Sequence, residues 1–436
     1  MRGKVVQYPP SATITVTLGQ ALVDEQVGIK LSGFGPHQHV TVRAHMHDDL
    51  QRRWESQATF ASDSQGAVDV GSQRPLSGTY DDIDPMGLFW SMTLNPEEPE
   101  ISPFRKIGLT PTMMTFTAIV DEQPVGSATL ERLFVAPGVT RIPVRENGLV
   151  GALFHPSGSG PYPGVMVMGG SGGGLVENSA ALFASHGYAA LALAYFAWGA
   201  LPAGLVNIPL EYFETAIHWM HARDIVRDDV LAVVGASRGG ELILLLGATF
   251  PQITAVVGYV PSAVLFGGIS REGLGGPAWT HRGTPLPFVP GRAAPTQPEV
   301  AANKEPIALT PGFLRALEDV AAVERAAIPV EQTNGPILLI SGQDDRMWPS
   351  SLLADMVVKR LAAHNYPYPY EHLSYAGTGH MIGAPYLPTT VTAARHPIAG
   401  RVNAFGGNAK DSAFAQADSW SKVLAFLEES LRPKDA

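Results

Sequence analysis

The sequence predicts an α/β protein with an all-β domain ahead of it: a mostly parallel sheet covered by helices, preceded by a β-sandwich. Three observations lead there. Between residues 10 and 137, short runs of alternating apolar and polar residues are separated by turn residues, which is how the strands of a sandwich read. From residue 138 to 436, apolar β-branched runs alternate with stretches of helical period, which implies parallel strands joined by crossover helices. Within this second region, the apolar run 230–234 passes through Gly235-Ala236-Ser237-Arg238-Gly239 into a leucine-rich stretch at 241–250. Strand, sharp turn and helix form the context in which a G-x-S-x-G motif exposes a serine. A chain of 436 residues is long enough for two or three domains.

Strands of the first region are expected at 12–18, 27–31, 39–44, 59–61, 67–70, 88–94 and 114–120, with a Ser-Asp-Ser-Gln-Gly turn at 62–66. Nothing here concentrates reactive groups, so the region reads as a packing or binding module. His37, His39, His45 and His47 have metal-ligand chemistry. Alternation lines such residues along one strand face, but no further ligand type or loop completes a coordination sphere, so no metal is expected. Residues 130–143 read as a linker into the second domain.

There, strands are expected at 148–155, 164–168 and 188–195, with a glycine-rich loop at 169–174 and a helix at 176–186 ended by Gly187. An amphipathic helix at 210–222 precedes the strand at 230–234, the helix at 241–250 and a strand at 253–260. Residues 262–334 break the rhythm with many Pro and Gly; an irregular insertion at this point is placed to act as a lid. The sheet resumes at 336–341 and 370–375 around a helix at 351–363, and a helix at 412–431 closes the domain.

Composition bounds the function. Hydrophobic residues make up 45% of the chain and charged residues 16%, enough apolar side chain for a large core. A net charge of −10 without any basic run argues against a nucleic-acid partner, and any contact with an anionic substrate must be local. The chain has no cysteine, which excludes disulfides, thiolate metal sites and a cysteine nucleophile. The most apolar stretch, 188–201, is 14 residues long and ends at Pro202, short of the roughly 20 that span a bilayer. The N-terminal residues lack an apolar signal core and the C-terminal ones a peroxisomal or retention tail, so a cytoplasmic location is expected. Monomer and dimer both stay open.

A serine hydroxyl is a weak nucleophile until a base takes its proton. The motif around Ser237 is weak by itself, since Gly169-Gly170-Ser171-Gly172-Gly173 matches it and also follows an apolar run. The residues downstream of Ser237 decide between the two. In an α/β-hydrolase the order along the chain is nucleophile, acid, base. The strand at 336–341 runs into Gly342-Gln343-Asp344-Asp345, which puts a carboxylate in the turn after a strand. Asp345 is the expected acid, on its spacing from Gly342 and Pro349, and Asp344 the expected turn residue or orienter. After the strand at 370–375, Ala376-Gly377-Thr378-Gly379-His380 sets a histidine in a glycine-flanked loop, 35 residues beyond Asp345. The expected triad is therefore Ser237, Asp345 and His380. The other glycine run then has a role without a second nucleophile. The backbone N–H of Gly170 or Ser171, together with that of Arg238, is expected to hold the oxyanion of a tetrahedral intermediate. A phosphate cradle at 169–174 is the weaker reading, because no G-K-[ST] follows.

With these residues in place, the chain resembles the acyl-CoA thioesterase / bile acid-CoA:amino acid N-acyltransferase family. The matching stretches run in order along nearly the whole chain. They include Pro85-Met86-Gly87-Leu88-Phe89-Trp90-Ser91-Met92, Val135-Ala136-Pro137-Gly138-Val139, Gly172-Gly173-Gly174-Leu175-Val176-Glu177, Leu210-Glu211-Tyr212-Phe213, Thr378-Gly379-His380 and Ala384-Pro385-Tyr386. The resemblance implies an immunoglobulin-like β-sandwich at 10–137, an α/β-hydrolase catalytic domain at 138–436, the same triad, and an acyl-CoA substrate with no cofactor or metal. In this family cysteine at the nucleophile position goes with amidation and serine with thioester hydrolysis, so Ser237 implies release of free acid and CoA through an acyl-enzyme. Two alternatives use the same triad: a carboxylesterase or lactone hydrolase acting on small oxyesters, and an acyl-CoA-dependent N-acyltransferase. A non-catalytic binding protein on this fold is the third, and an intact triad speaks against it. Arg238, Arg271, Arg282 and Arg292 are the candidate contacts for CoA phosphates. The lid at 265–300 and Arg238 depart from the family pattern, which leaves acyl-chain preference open.

Overall fold

The computed structural model describes residues 12–95, 102–271, 273–291 and 305–432. The chain divides into two compact units. One comprises residues up to 134 together with 384–391; the other comprises 135–383 together with 392–436.

The first unit is built from two sheets. In the larger, the long strands His39–His47, Arg53–Ala61, Thr112–Val120 and Gln123–Leu133 pair antiparallel, and Gln20–Leu22 joins parallel at its edge. The smaller holds Thr13–Val16, Ile29–Ser32 and Val68–Asp69. Alternation sets the faces. Val40, Val42, Ala44 and Met46 are buried, while His39 and His47 point outward with a half-buried His45 between them. Among the described residues, no group of three or more His, Asp or Glu side chains is placed to hold a metal ion.

Two expectations for this unit are corrected. Residues 88–94 do not form one strand: Gly87–Trp90 is a single helical turn, and only Thr93–Leu94 pairs in the sheet. Asp84 organises the turn, accepting from the backbone N–H of Met86 at 2.8 Å and from the Trp90 indole at 2.7 Å. The run Leu88-Phe89-Trp90 is buried throughout, and an unbroken apolar run has no period that separates strand from helix. Residues 130–143 are also not a plain linker, because Gln123–Leu133 is the longest strand of this sheet and Thr140–Val144 is the first of the next.

The second unit holds an eight-stranded sheet. In chain order its strands are β1 Thr140–Val144, β2 Val150–His155, β3 Tyr162–Met168, β4 Ala189–Ala194, β5 Val226–Ala236, β6 Ala255–Tyr259, β7 Ile337–Gly342 and β8 Tyr370–Tyr375. Their spatial order is 1-2-4-3-5-6-7-8. β2 lies antiparallel to both β1 and β4, and every pairing from β4 through β8 is parallel. This is an α/β-hydrolase sheet. Its central strands are buried on both faces, so they read as continuous apolar runs. Helices α1 Glu177–Ser185, α2 Glu211–His221, α3 Arg238–Thr249, α4 Thr310–Leu317, α5 Val320–Ala326, α6 Ser350–Ala363 and α7 Ala409–Ser430 complete the unit.

Over its described residues, the insertion after β6 is more regular than the expected irregular lid; residues 272 and 292–304 of that expectation lie outside the described residues. Gly267–Ser270 pairs with Gly273–Pro277, Trp279–His281 pairs with Thr284–Pro285, and α4 and α5 follow.

Candidate active site

Four loops leave the C-terminal ends of β3, β5, β7 and β8, the edge of a parallel sheet where ligand sites form. They carry Gly170 and Ser171, Ser237, Asp345, and His380 respectively.

Ser237 sits between β5 and α3 with φ 58° and ψ −120°. A side chain in this region of backbone space is strained by ~1–3 kcal/mol, and the surrounding packing holds it there. The Ser237 N–H donates to the Tyr259 carbonyl at 2.9 Å. A Cβ at Gly235 would lie 2.4 Å from the Gly239 oxygen, and one at Gly239 would lie 2.5 Å from the Gly169 oxygen. Only glycine lets strand, helix and neighbouring loop approach this closely.

His380 Nε2 is 2.9 Å from Ser237 Oγ, and His380 Nδ1 is 2.8 Å from Asp345 Oδ2. Asp345 accepts at its other oxygen from the backbone N–H groups of Met347 and Trp348, at 2.8 and 3.3 Å. With an acceptor-only carboxylate at Nδ1, the imidazole carries its proton there and turns a bare Nε2 toward the serine. The Asp345 side chain is 1% exposed and that of His380 7%, and the Trp348 ring stands edge-on to the imidazole, with centroids 6.1 Å apart. Asp344 is turned elsewhere: its Oδ2 accepts from the Gly407 N–H at 3.0 Å, and half of its side chain is exposed.

A second Ser–His–Asp line exists in the same unit. His372 contacts Ser341 Oγ at 2.7 Å through Nε2 and Asp355 at 3.0 Å through Nδ1. Distances alone do not separate it from the first. Burial does, since Ser341 has no exposed surface and no substrate reaches it, whereas Ser237 is partly exposed and lines a cleft.

That cleft has apolar walls from Ile269, Leu309, Phe313, Met347 and Trp348. Ser171, Arg238, His396, Arg401 and Asn403 supply its polar lining. Arg238 is the first residue of α3, so its backbone N–H has no acceptor one turn back in the helix. The Gly170 backbone lies against the turn at Ser237: a Cβ there would be 2.9 Å from the Ala236 oxygen and 3.2 Å from Ser237 Cβ. Tyr195 holds the start of this loop, its hydroxyl donating to the Gly169 carbonyl at 2.6 Å.

The Arg238 side chain does not reach out for a ligand. Its guanidinium is buried, 3.0 Å from Glu241 and donating to the Phe266 carbonyl at 2.9 Å. Glu241, fully buried, also accepts from the Trp279 indole at 2.8 Å and the Phe266 N–H at 3.1 Å. Burial pushes the Glu241 carboxyl above its ordinary range, and the Arg238 charge and these hydrogen bonds oppose that. The pair fastens α3 to the insertion, which removes Arg238 from the candidate phosphate contacts. Arg271 and Arg282 are exposed, and Arg292 lies outside the described residues.

Sequence reasoning passed over the segment after His380. His396, Arg401 and Asn403 come from it, and its aperiodic pattern, interrupted by Pro and Gly, gives no local signal. His396 Nδ1 accepts from the N–H groups of Ile398 and Ala399, at 3.2 and 3.0 Å. Its Nε2 therefore carries the proton and donates to Ser171 Oγ at 2.9 Å. Burial, and next the Arg401 charge, hold this imidazole below its usual range and hence neutral.

Comparison with known proteins bears on what such a site acts on. The sequence model of the BAAT / acyl-CoA thioester hydrolase C-terminal region matches residues 208–433, and that of the acyl-CoA thioester hydrolase/BAAT N-terminal region matches 24–146. The chain belongs to this family. Acyl-coenzyme A thioesterase 1 of Mus musculus is 32% identical over 95% of both chains. The peroxisomal succinyl-coenzyme A thioesterase of the same species is 33% identical over 97% of both. Mitochondrial acyl-coenzyme A thioesterase 2 of Homo sapiens is 32% identical over 98% of this chain and 87% of its own length. Among solved structures, a dienelactone hydrolase-like promiscuous phosphotriesterase from metagenomic libraries covers 67% of this chain and 98% of its own, at 17% identity and a TM-score of 0.38. Among the described residues, no helix is long and apolar enough to cross a membrane.

Proposed function

We propose that the protein hydrolyses acyl-CoA thioesters to free acid and CoA, with Ser237 as nucleophile, His380 as general base and acid, and Asp345 as the group that orients the imidazole. The observation that carries this reading is the line Asp345–His380–Ser237, at 2.8 and 2.9 Å, opening on a cleft in a chain of this family.

His380 Nε2 takes the Ser237 proton as Oγ adds to the thioester carbonyl. The negative charge that develops on the carbonyl oxygen is met by the backbone N–H groups of Arg238 and of Gly170 or Ser171, with the N-terminus of α3 behind them. The C–S bond breaks, and CoA leaves as the thiol with the proton from His380. Water then enters, gives its proton to His380, attacks the acyl-serine and releases the acid. Asp345 stays ionised throughout and stabilises the imidazolium. The apolar walls of the cleft suit an acyl chain and keep the dielectric low where charge develops.

The test is thiol release from short-, medium- and long-chain acyl-CoAs alongside aryl esters, with wild type and Ser237→Ala. Serine-dependent thiol release is expected. Ester cleavage without any CoA turnover would move the chain to the oxyester reading, and stimulation by amine acceptors with amide formation would move it to the transferase one.

A further inference from the structure

Arg401 lines the same cleft as Ser237 and is part-buried, yet its guanidinium has no ion-pair or hydrogen-bond partner among the described residues, and its Nε is shut off from solvent. A part-buried cation without a counter-charge is less stable than a solvated or paired one, and burial lowers its affinity for the proton. The groups around it do not relieve this. His396 is neutral and spends its Nε2–H on Ser171. Asn403, 1% exposed, has a side-chain oxygen that is likewise buried without a partner. Arg401 is therefore a cation with no counter-charge among the described residues, in a cleft that Ile269, Leu309, Phe313, Met347 and Trp348 line with apolar surface. Buried polar groups in native structures are met by protein, by water or by a bound group, and a cation in a substrate cleft is placed to meet the last.

We infer that Arg401 forms an anion subsite that receives a carboxylate carried on the acyl group of the substrate, so that the enzyme favours ω-carboxyacyl thioesters over uncharged ones of equal length. This rests on the proposed thioesterase function. The acyl group rather than CoA is the source of the anion because Arg401 opens on the cleft that holds the reacting serine. The phosphates of CoA sit at the far end of the pantetheine arm, away from the thioester. Arginine offers a planar pair of donors that matches a carboxylate, and the overall charge of −10 supplies no general attraction that would make such a contact redundant.

The experiment compares kcat/KM for glutaryl-CoA and pentanoyl-CoA in wild type, Arg401→Met and Arg401→Lys, with thermal melts to confirm folding. The glutaryl-to-pentanoyl ratio is expected to fall about 10- to 100-fold in Arg401→Met, the worth of a charged hydrogen bond, and to recover in part in Arg401→Lys. An unchanged ratio overturns the inference. So does an equal loss on both CoA thioesters that spares the matching N-acetylcysteamine thioesters, since that pattern assigns the arginine to a CoA phosphate. If wild type cleaves aryl esters but no CoA thioester, the thioesterase reading falls by itself. The same ratio measured on 4-nitrophenyl monoglutarate and pentanoate then decides the subsite.

Discussion

Replacing Asp345 by asparagine tests the catalytic line through hydrogen-bond geometry rather than through packing. The Asp345 carboxylate accepts three hydrogen bonds, two from the backbone N–H groups of Met347 and Trp348 at Oδ1 and one from His380 at Oδ2. An asparagine there has a single acceptor oxygen, and the two backbone donors claim it. Its amide NH₂ is then forced toward His380 Nδ1, which becomes an acceptor, and the imidazole proton moves to Nε2. A protonated neutral Nε2 cannot take the Ser237 proton. Loss of the correct tautomer in such a triad costs about 10⁴-fold in kcat, or ~5.5 kcal/mol of barrier. Side-chain volume is nearly unchanged, so the thermal midpoint should move by no more than a few degrees. The assay is steady-state thiol release with a melt of each variant, and Asp344→Asn serves as the comparison. Asp344 is half exposed, accepts from the Gly407 N–H and lies 3.9 Å from Arg346, so that variant should stay within about threefold of wild type, as surface changes usually do. An Asp345→Asn variant within tenfold of wild type, or an Asp344→Asn variant as impaired as Asp345→Asn, would refute the reasoning.

The same geometry sets three further outcomes. Gly239→Ala drives a Cβ to 2.5 Å from the Gly169 oxygen and 2.9 Å from the Met168 oxygen; backbone cannot swing aside, so ~1–3 kcal/mol of stability in a urea melt and about 100-fold in kcat should be lost together. Arg238→Ala strands the Glu241 carboxylate in the core and should cost ~3–5 kcal/mol. Because burial raises the folded pKa of Glu241, the folded state holds its proton more tightly than the unfolded one. The stability deficit should therefore be small below the ordinary carboxylate range and grow as pH rises through the folded value, which urea melts at a series of pH values will read. In the β-sandwich unit the sign is opposite. Burial opposes ionisation of Asp48, but the Arg52 side-chain, backbone and charge interactions outweigh it and hold the carboxyl below its usual range. That stabilisation is present above the ordinary carboxylate pKa and is lost as pH falls through the folded value, so Asp48→Asn should flatten the acid limb of this unit's melting curve.

What the sequence discloses is what short-range context fixes. Ser237, Asp345 and His380 each lie within a few residues of a strand end and a glycine, so each is legible one at a time, and their order along the chain supplies the rest. The turn after Val120 is illegible for the converse reason. Asp121 and Glu122 both adopt positive φ, 49° and 62°, a hairpin geometry usually signalled by Asn-Gly, and Pro124 and Gly126 then interrupt the strand signal at a bulge. Arg401 and His396 reach the cleft only through tertiary folding of an aperiodic segment, which no window of sequence reports. Hydrogen-bond distances do not separate the Ser341–His372–Asp355 line from the one at Ser237; solvent access does, and access is a property of the assembled sheet. The assignment of residues 384–391 to the first unit is of the same kind, since contiguity in sequence would leave them with the second.

The central claim is covalent catalysis at Ser237, and the most direct measurement is a rapid-quench mass analysis of enzyme mixed with excess acyl-CoA. The account predicts a transient acyl adduct on the peptide that carries Ser237, absent in Ser237→Ala, which should release no thiol above background. An adduct on any other residue, or thiol release at the wild-type rate from Ser237→Ala, would contradict it.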